Sequence, residues 1–149
     1  MNITKMLSKE EGFRSEPYLC SEGYATEGVG WRIGSKGQPL KDFKHISMCE
    51  GAAYAQLDFK IAGIEAQLGN EFAFYSDLNE PRKAVLISMA YQLGFAGLLG
   101  FKNMLAAIQT QCWNDAAHEG LDSKWWAQTP ERAERQMTML LLGDWSAYE

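Results

Sequence analysis

Residues 11–30, Glu11-Gly12-Phe13-Arg14-Ser15-Glu16-Pro17-Tyr18-Leu19-Cys20-Ser21-Glu22-Gly23-Tyr24-Ala25-Thr26-Glu27-Gly28-Val29-Gly30, mark the change from one kind of local structure to another. Before them, Asn2 can cap a short helix from Ile3 to about Glu11, with Ile3, Met6 and Leu7 on its apolar face, and Gly12 stops it. Within and after them, short segments rich in Tyr, Val and Gly run from Tyr18 to about Ile33. Turn chemistry falls at Ser21-Glu22-Gly23 and at Gly34-Ser35-Lys36-Gly37, so these segments read as a small antiparallel sheet. The length of the first turn decides which side chains meet. A three-residue loop places Cys20 opposite Tyr24 and Tyr18 opposite Thr26, which makes Cys20 and Thr26 same-face diagonal neighbours about 7–8 Å apart. A two-residue loop would put them on opposite faces. Gly28 and Gly30 mark either the close approach of another group or a bend in the sheet, and the two readings stand level.

Beyond the sheet the signals are helical. Ser47-Met48-Cys49-Glu50 is a capping box, and a long helix is expected from it to about Leu68, with Leu57, Ile61, Ile64 and Leu68 on one stripe and Gly69 as terminator. Asn79-Glu80-Pro81 starts a further helix that Gly94 stops. The apolar run within it, Ala84 to Tyr91, predicts a central buried element. Shorter helices are expected over about Lys102–Cys112 and Asn114–Glu119. Thr129-Pro130-Glu131 opens a last one that ends at Gly143, after which Trp145 and Tyr148 fold back onto the core. The fold class is therefore α+β. A small antiparallel sheet lobe and a larger all-helical lobe are joined by a long helix, with a cleft expected between them. As one domain over 1–149 the segments are 1–12 for the first helix, 13–46 for the sheet lobe, 47–69 for the connecting helix and 70–149 for the helical lobe.

Composition narrows the function. The chain of 149 residues is 46% hydrophobic and 12% aromatic, which suits a packed globular protein. Its apolar runs are too short to span a bilayer, and the N-terminal run lacks a signal-peptide stretch, so no membrane insertion and a cytoplasmic origin are expected. Cys20, Cys49 and Cys112 form no CxxC motif and are accompanied by only His45 and His118. A disulfide framework and a metal site are not expected. The net charge is −5. Residues 1–68 carry 8 basic and 9 acidic side chains and residues 69–149 carry 6 and 10, so the acid is concentrated in the second half. There is no basic stripe, and nucleic acid is not an expected partner.

Three side chains in the opening stretch suit acid–base chemistry. Glu11 ends the first helix, where the partial negative charge of the helix terminus disfavours an ionised carboxylate and equips the group to donate a proton. Cys20 and Thr26 flank the turn. Taken singly, each has an ordinary reading: an exposed Glu, a small core filler and a β-former.

Jointly they resemble a known family. Glu11, eight residues, Cys20, five residues, Thr26 is similar to the Glu–Asp/Cys–Thr spacing of phage lysozymes of glycoside hydrolase family 24, T-even type. A second match is Met89-Ala90-Tyr91-Gln92-Leu93-Gly94 with Gly97, Gly100-Phe101 and Asn103. A third runs from Trp113-Asn114-Asp115-Ala116-Ala117 through Trp125, Gln128-Thr129-Pro130, Arg132-Ala133, Arg135, Gly143 and Trp145 to Ala147-Tyr148. The stretch Arg32–Gly51 is shorter than its counterpart and unlike it. The resemblance implies hydrolysis of the β-1,4 bond between N-acetylmuramic acid and N-acetylglucosamine in peptidoglycan. Glu11 would be general acid, Thr26 would hold the attacking water, and Cys20 would stand where most members carry Asp. It also implies that Arg132 pairs with the catalytic Glu, and that Tyr91, Gln92 and Gly30 contact glycan. Arg32, Met104 and Glu119 occupy cleft positions with altered chemistry. A thiol supplies less negative charge than a carboxylate, so inversion of configuration, with a water between the sugar and Cys20, is the favoured form. The resemblance further implies a monomer without cofactor, made in the host cytoplasm and reaching the wall in the periplasm by holin-dependent release. Two other readings remain: a catalytically silent peptidoglycan-binding protein, and a lysozyme domain serving a tail or secretion system.

Overall fold

The computed structural model describes residues 1–149. They divide into two compact units, Leu7–Ile61 and Met1–Met6 with Ala62–Glu149.

The smaller unit holds the end of α1 (Ile3–Glu11), the sheet, and the first half of α2 (Glu50–Glu71). The Asn2 side chain accepts from the Lys5 amide at 2.9 Å, capping α1 as expected. Strands β1 (Arg14–Leu19), β2 (Tyr24–Gly28) and β3 (Trp31–Lys36) pair antiparallel in the order β1-β2-β3. Tyr18 faces Thr26, and the Cys20 amide donates to the Tyr24 carbonyl at 3.0 Å, so the first hairpin has the three-residue loop. The sheet begins at Arg14, four residues before the reading from composition, and its register shifts between Arg14 and Tyr18. A Cβ on Gly28 would lie 2.7 Å from the Met48 sulfur and 3.3 Å from the Ala53 Cβ. The close approach that Gly28 permits is thus the protein's own packing. Leu7, Ala25, Val29, Phe43, Ala53, Leu57 and Ile61 are buried.

Helix α2 departs from its sequence signals at both ends. It starts at Glu50, because the Met48 amide donates to the Ser15 carbonyl at 2.8 Å and holds the chain beside β1 where the capping box predicted a helical turn. It continues through Gly69 to Glu71, with the Phe72 amide still bonded to the Leu68 carbonyl at 2.9 Å. An interior glycine costs a helix only about 1 kcal/mol, less than the surrounding turns supply.

In the larger unit, α3 (Glu80–Leu93) is capped by Asn79, which accepts from the Arg82 amide at 3.3 Å, and every residue from Ala84 to Ala90 is buried. Around it lie α4 (Phe95–Leu99), α5 (Lys102–Gln109), α6 (Trp113–Leu121), α7 (Lys124–Gln128) and α8 (Pro130–Leu142), with α8 packed on α3, α6 and α7. Helix α5 stops before Cys112 because Gln111 takes a left-handed backbone, φ 57°. At the end of α8, Arg82 donates to the Leu140 carbonyl at 2.9 Å and the Leu141 carbonyl at 3.2 Å. Gly143 follows at φ 71°, where a Cβ would meet the Arg82 guanidinium at 2.8 Å; only glycine fits. Tyr148 then folds back and is buried.

Candidate active site

Glu11 is the last residue of α1 and half-buried. Strand β1 brings Tyr18 toward it, and the three-residue turn brings Cys20 and Thr26 to one face. Thr26 is buried and its hydroxyl donates to the Tyr24 carbonyl at 3.0 Å; the same hydroxyl also hydrogen-bonds the Cys20 sulfur. With one proton and two acceptors, that hydroxyl can serve either one, and an ionised sulfur is the stronger acceptor. The Cys20 thiol is held below its ordinary range. The backbone of Tyr24 contributes most, burial opposes it, and the Glu22 backbone and Thr26 hydroxyl add to the lowering. A thiol so placed gives up its proton more readily than a free cysteine.

Tyr18 ties the set together. Its phenol is pushed above its ordinary range, first by burial, opposed by Arg14, and further by the charges of Glu11 and Cys20. The Arg14 guanidinium lies 4.4 Å from the Tyr18 ring centre. On α2, Lys60 sits 5.6 Å from the centre of the Trp31 ring. Burial lowers its ammonium's affinity for a proton, with Glu11 raising it and Arg32 lowering it. Glu11 therefore has Tyr18 and Lys60 in electrostatic reach. Sequence reading did not single out either as a site residue. Tyr18 was legible from the register, facing Thr26, whereas nothing local to α2 marks Lys60. Arg32 faces Thr26 across β2–β3, stacks 3.5 Å over the Tyr24 ring and pairs with Glu22 at 3.4 Å, with more than half of its side chain exposed. Gly30 lies in the turn between β2 and β3.

The other sequence-predicted residues lie in the helical unit. Met104 and Glu119 line one cavity of about 610 Å³ together with Phe101, Lys102, Lys124 and Trp125. Met104 is 1% exposed and forms its floor, while Glu119 accepts from Asn103 at 3.0 Å. Tyr91 is half-buried on α3. Gln92 is committed to its neighbours, accepting from the Trp125 indole at 2.8 Å and donating to the Thr129 hydroxyl at 3.4 Å. Arg132 is buried on α8 and donates to the Ser88 hydroxyl at 3.0 Å. No three His, Cys, Asp or Glu side chains converge in a metal-binding arrangement.

A carboxyl at a helix end and a hydroxyl beside an acidified thiol on one sheet face, with Tyr18 in electrostatic reach of the carboxyl and the thiol, are groups that acid–base chemistry can use. Comparison with known proteins gives the family. The phage lysozyme family matches residues 8–139. The chain is 30% identical to the pre-baseplate central spike protein Gp5 of Enterobacteria phage T4, over 99% of the chain and 29% of that protein. It is 28% and 26% identical to probable T4-type lysozymes 1 and 2 of Dictyostelium discoideum, in each case over 99% of the chain and 98% of the relative. The chain thus spans under a third of the spike protein and nearly all of the two amoebal proteins. It belongs to the phage lysozyme family. The domain it carries is a glycoside hydrolase of the lysozyme type.

Proposed function

We propose that the protein is a muramidase that hydrolyses the β-1,4 bond between N-acetylmuramic acid and N-acetylglucosamine in peptidoglycan, with inversion. Glu11 gives its proton to the leaving oxygen of N-acetylglucosamine as the bond from muramic C1 breaks. A water held by Thr26 and Cys20 adds to C1 from the opposite side, and its proton passes to Cys20 or to solvent. Arg132 is a supporting residue. Gly30, Arg32, Tyr91 and Gln92 contact glycan, and Met104 and Glu119 do so at the helical-unit cavity. The observation that carries the reading is the joint placement of Cys20 and Thr26 on one sheet face, with Tyr18 in electrostatic reach of both Glu11 and Cys20. In this account the enzyme is a phage endolysin acting as a monomer on the host wall, released through a holin.

Digestion of purified sacculi, followed by proton NMR of the fresh reducing ends, tests it. The expected product is reducing N-acetylmuramic acid appearing first as the α-anomer. A β-anomer would overturn inversion, and binding to sacculi without reducing ends would favour the silent glycan-binding reading. The likeness to a baseplate spike protein supports a second reading, a wall-cutting domain of a particle. A stable particle-associated partner in a pull-down would decide for it.

A further inference from the structure

Charge is unevenly spread along the chain. Residues 32–47 carry four basic side chains and one acidic one, whereas the rest carry 10 and 18. Within that stretch a short 3₁₀ turn, Leu40–Phe43, follows β3, and the chain runs on through Lys44, His45 and Ile46 toward α2. The turn packs on β1 and leaves a groove of about 440 Å³. Glu16 and Pro17 of β1 line one side of it. Leu40, Lys41, Lys44, His45 and Ile46 line the other. Glu16 and Pro17 also line a second concave surface, of about 450 Å³, which they share with Arg14 and Tyr18. The groove therefore continues along β1 from the tyrosine of the candidate site, inside the smaller unit.

Packing within the unit holds this groove in shape. Phe43 is buried, and a Cβ on Gly34 would meet its ring at 2.6 Å, so glycine makes room for the anchor. The Ile46 amide donates to the Phe43 carbonyl at 2.9 Å. The Met48 amide donates to the Ser15 carbonyl at 2.8 Å and ties the end of the loop to β1. Glu16, Lys41, Lys44 and His45 are all exposed, and none of their side chains is engaged in a hydrogen bond or ion pair within the protein. Two ammonium groups on one short loop repel each other, and an anionic group between them relieves that repulsion. A preformed groove of this size with unspent donors is suited to a ligand.

We infer that this groove binds the peptide stem carried by peptidoglycan glycan, a short acidic peptide bearing one free amine. The inference deepens the muramidase reading above and rests on it for the source of the peptide. Lys41 and Lys44 donate charge-assisted hydrogen bonds to carboxylates of the stem, and His45 adds a ring N–H. Glu16, on the opposite side, accepts from the stem's ammonium. Pro17, Leu40 and Ile46, the last 41% exposed, offer apolar contact to its alanine methyls. Glu16 decides between classes of ligand. Its carboxylate repels a bare phosphate or an all-carboxylate polymer, whereas a zwitterion with surplus negative charge matches both sides of the groove.

The test is amide NMR of the ¹⁵N-labelled protein titrated with the free tetrapeptide L-alanyl-γ-D-glutamyl-meso-diaminopimelyl-D-alanine. Shifts should concentrate at Glu16 and at residues 40–47. Lys41→Gln combined with Lys44→Gln, both at exposed positions, should weaken binding about tenfold. Glu16→Gln should weaken binding of the free peptide but not of the same peptide acetylated on its diaminopimelate amine. Absence of shifts at millimolar peptide, or shifts confined to other residues, would overturn the inference. So would inorganic phosphate moving the same amides at the same concentration, which would make the groove a general anion site. Tighter peptide binding by Glu16→Gln would overturn it too. Digestion of sacculi separates the groove from the underlying reading. Release of reducing ends by a protein whose titration is silent sinks the groove alone. A positive titration without release sinks the muramidase reading and leaves the peptide site standing.

Discussion

Glu27 stands on β2 next to Thr26, 6% exposed, facing Trp31 across the turn, with one carboxylate oxygen that lacks a hydrogen-bond partner. Burial pushes its carboxyl above the ordinary carboxylate range. Because the folded protein holds that proton more tightly than the unfolded chain, the resulting stability is fully present below the ordinary carboxylate range. It is lost as pH rises through the folded-state value. Glu27→Met should therefore raise the thermal midpoint at pH 7 by more than at pH 4. A buried unpartnered group costs about 1–3 kcal/mol, and each kcal/mol is worth about 2–4 °C in a chain of this size. Calorimetry at the two pH values checks this, and equal shifts would contradict it. The same scale shows what residue patterns can and cannot reveal. Cys20 and Thr26 were legible as a pair because strand alternation and one turn length place both. The electrostatic influence of Glu11 on Lys60 runs from the end of α1 to α2, and no local pattern encodes it. The orphan oxygen of Glu27 was equally hidden, since an isolated Glu in a strand reads as solvent-facing.

At the scale of elements, α2 separates its two faces sharply. Leu57 is 2% exposed and Phe59 is 77% exposed, two positions apart on one helix. Leu57→Ala should cost about 2–5 kcal/mol through lost burial and a residual cavity. Phe59→Ala should change stability by no more than about 0.5 kcal/mol. Urea unfolding of the two variants checks the contrast, and similar losses would mean that α2 is packed the other way round. The apolar stripe was readable because Leu57, Ile61, Ile64 and Leu68 recur at helical spacing; Leu57, Ile61 and Leu68 are buried and Ile64 is partly exposed. The start of α2 was not, because a long-range bond from Met48 to Ser15 prevails over a local capping signal. Helices α4 and α7, five residues each, also escaped the reading, being too short for a period to show. Ends with a strong stop were read correctly: Gly94 closes α3, and Gly143, sealed by Arg82, closes α8.

For the whole molecule, charge and family membership bear on how the enzyme meets its substrate. The chain carries −5, and the glycan wall proposed as its substrate is anionic. Repulsion slows approach and is screened by salt, so lytic activity should rise with moderate ionic strength. Turbidity loss of permeabilised Gram-negative cells across a salt series checks this, and a steep monotonic fall would contradict it. The α+β architecture was legible from the order of turn and cap signals, and the family from the spacing of Glu11, Cys20 and Thr26. The hydrogen bonds from Arg132 and Gln136 to Ser88 were not, because they join two helices far apart in sequence. The central claim is that one carboxyl, Glu11, supplies the proton for glycan cleavage, with Cys20 in the role usually taken by Asp. The most direct measurement is reducing-end release from purified sacculi by wild type, Glu11→Gln and Cys20→Asp at equal concentration. Glu11→Gln should lose at least about a hundredfold of the rate while Cys20→Asp remains active. Near-full release by Glu11→Gln would contradict the account.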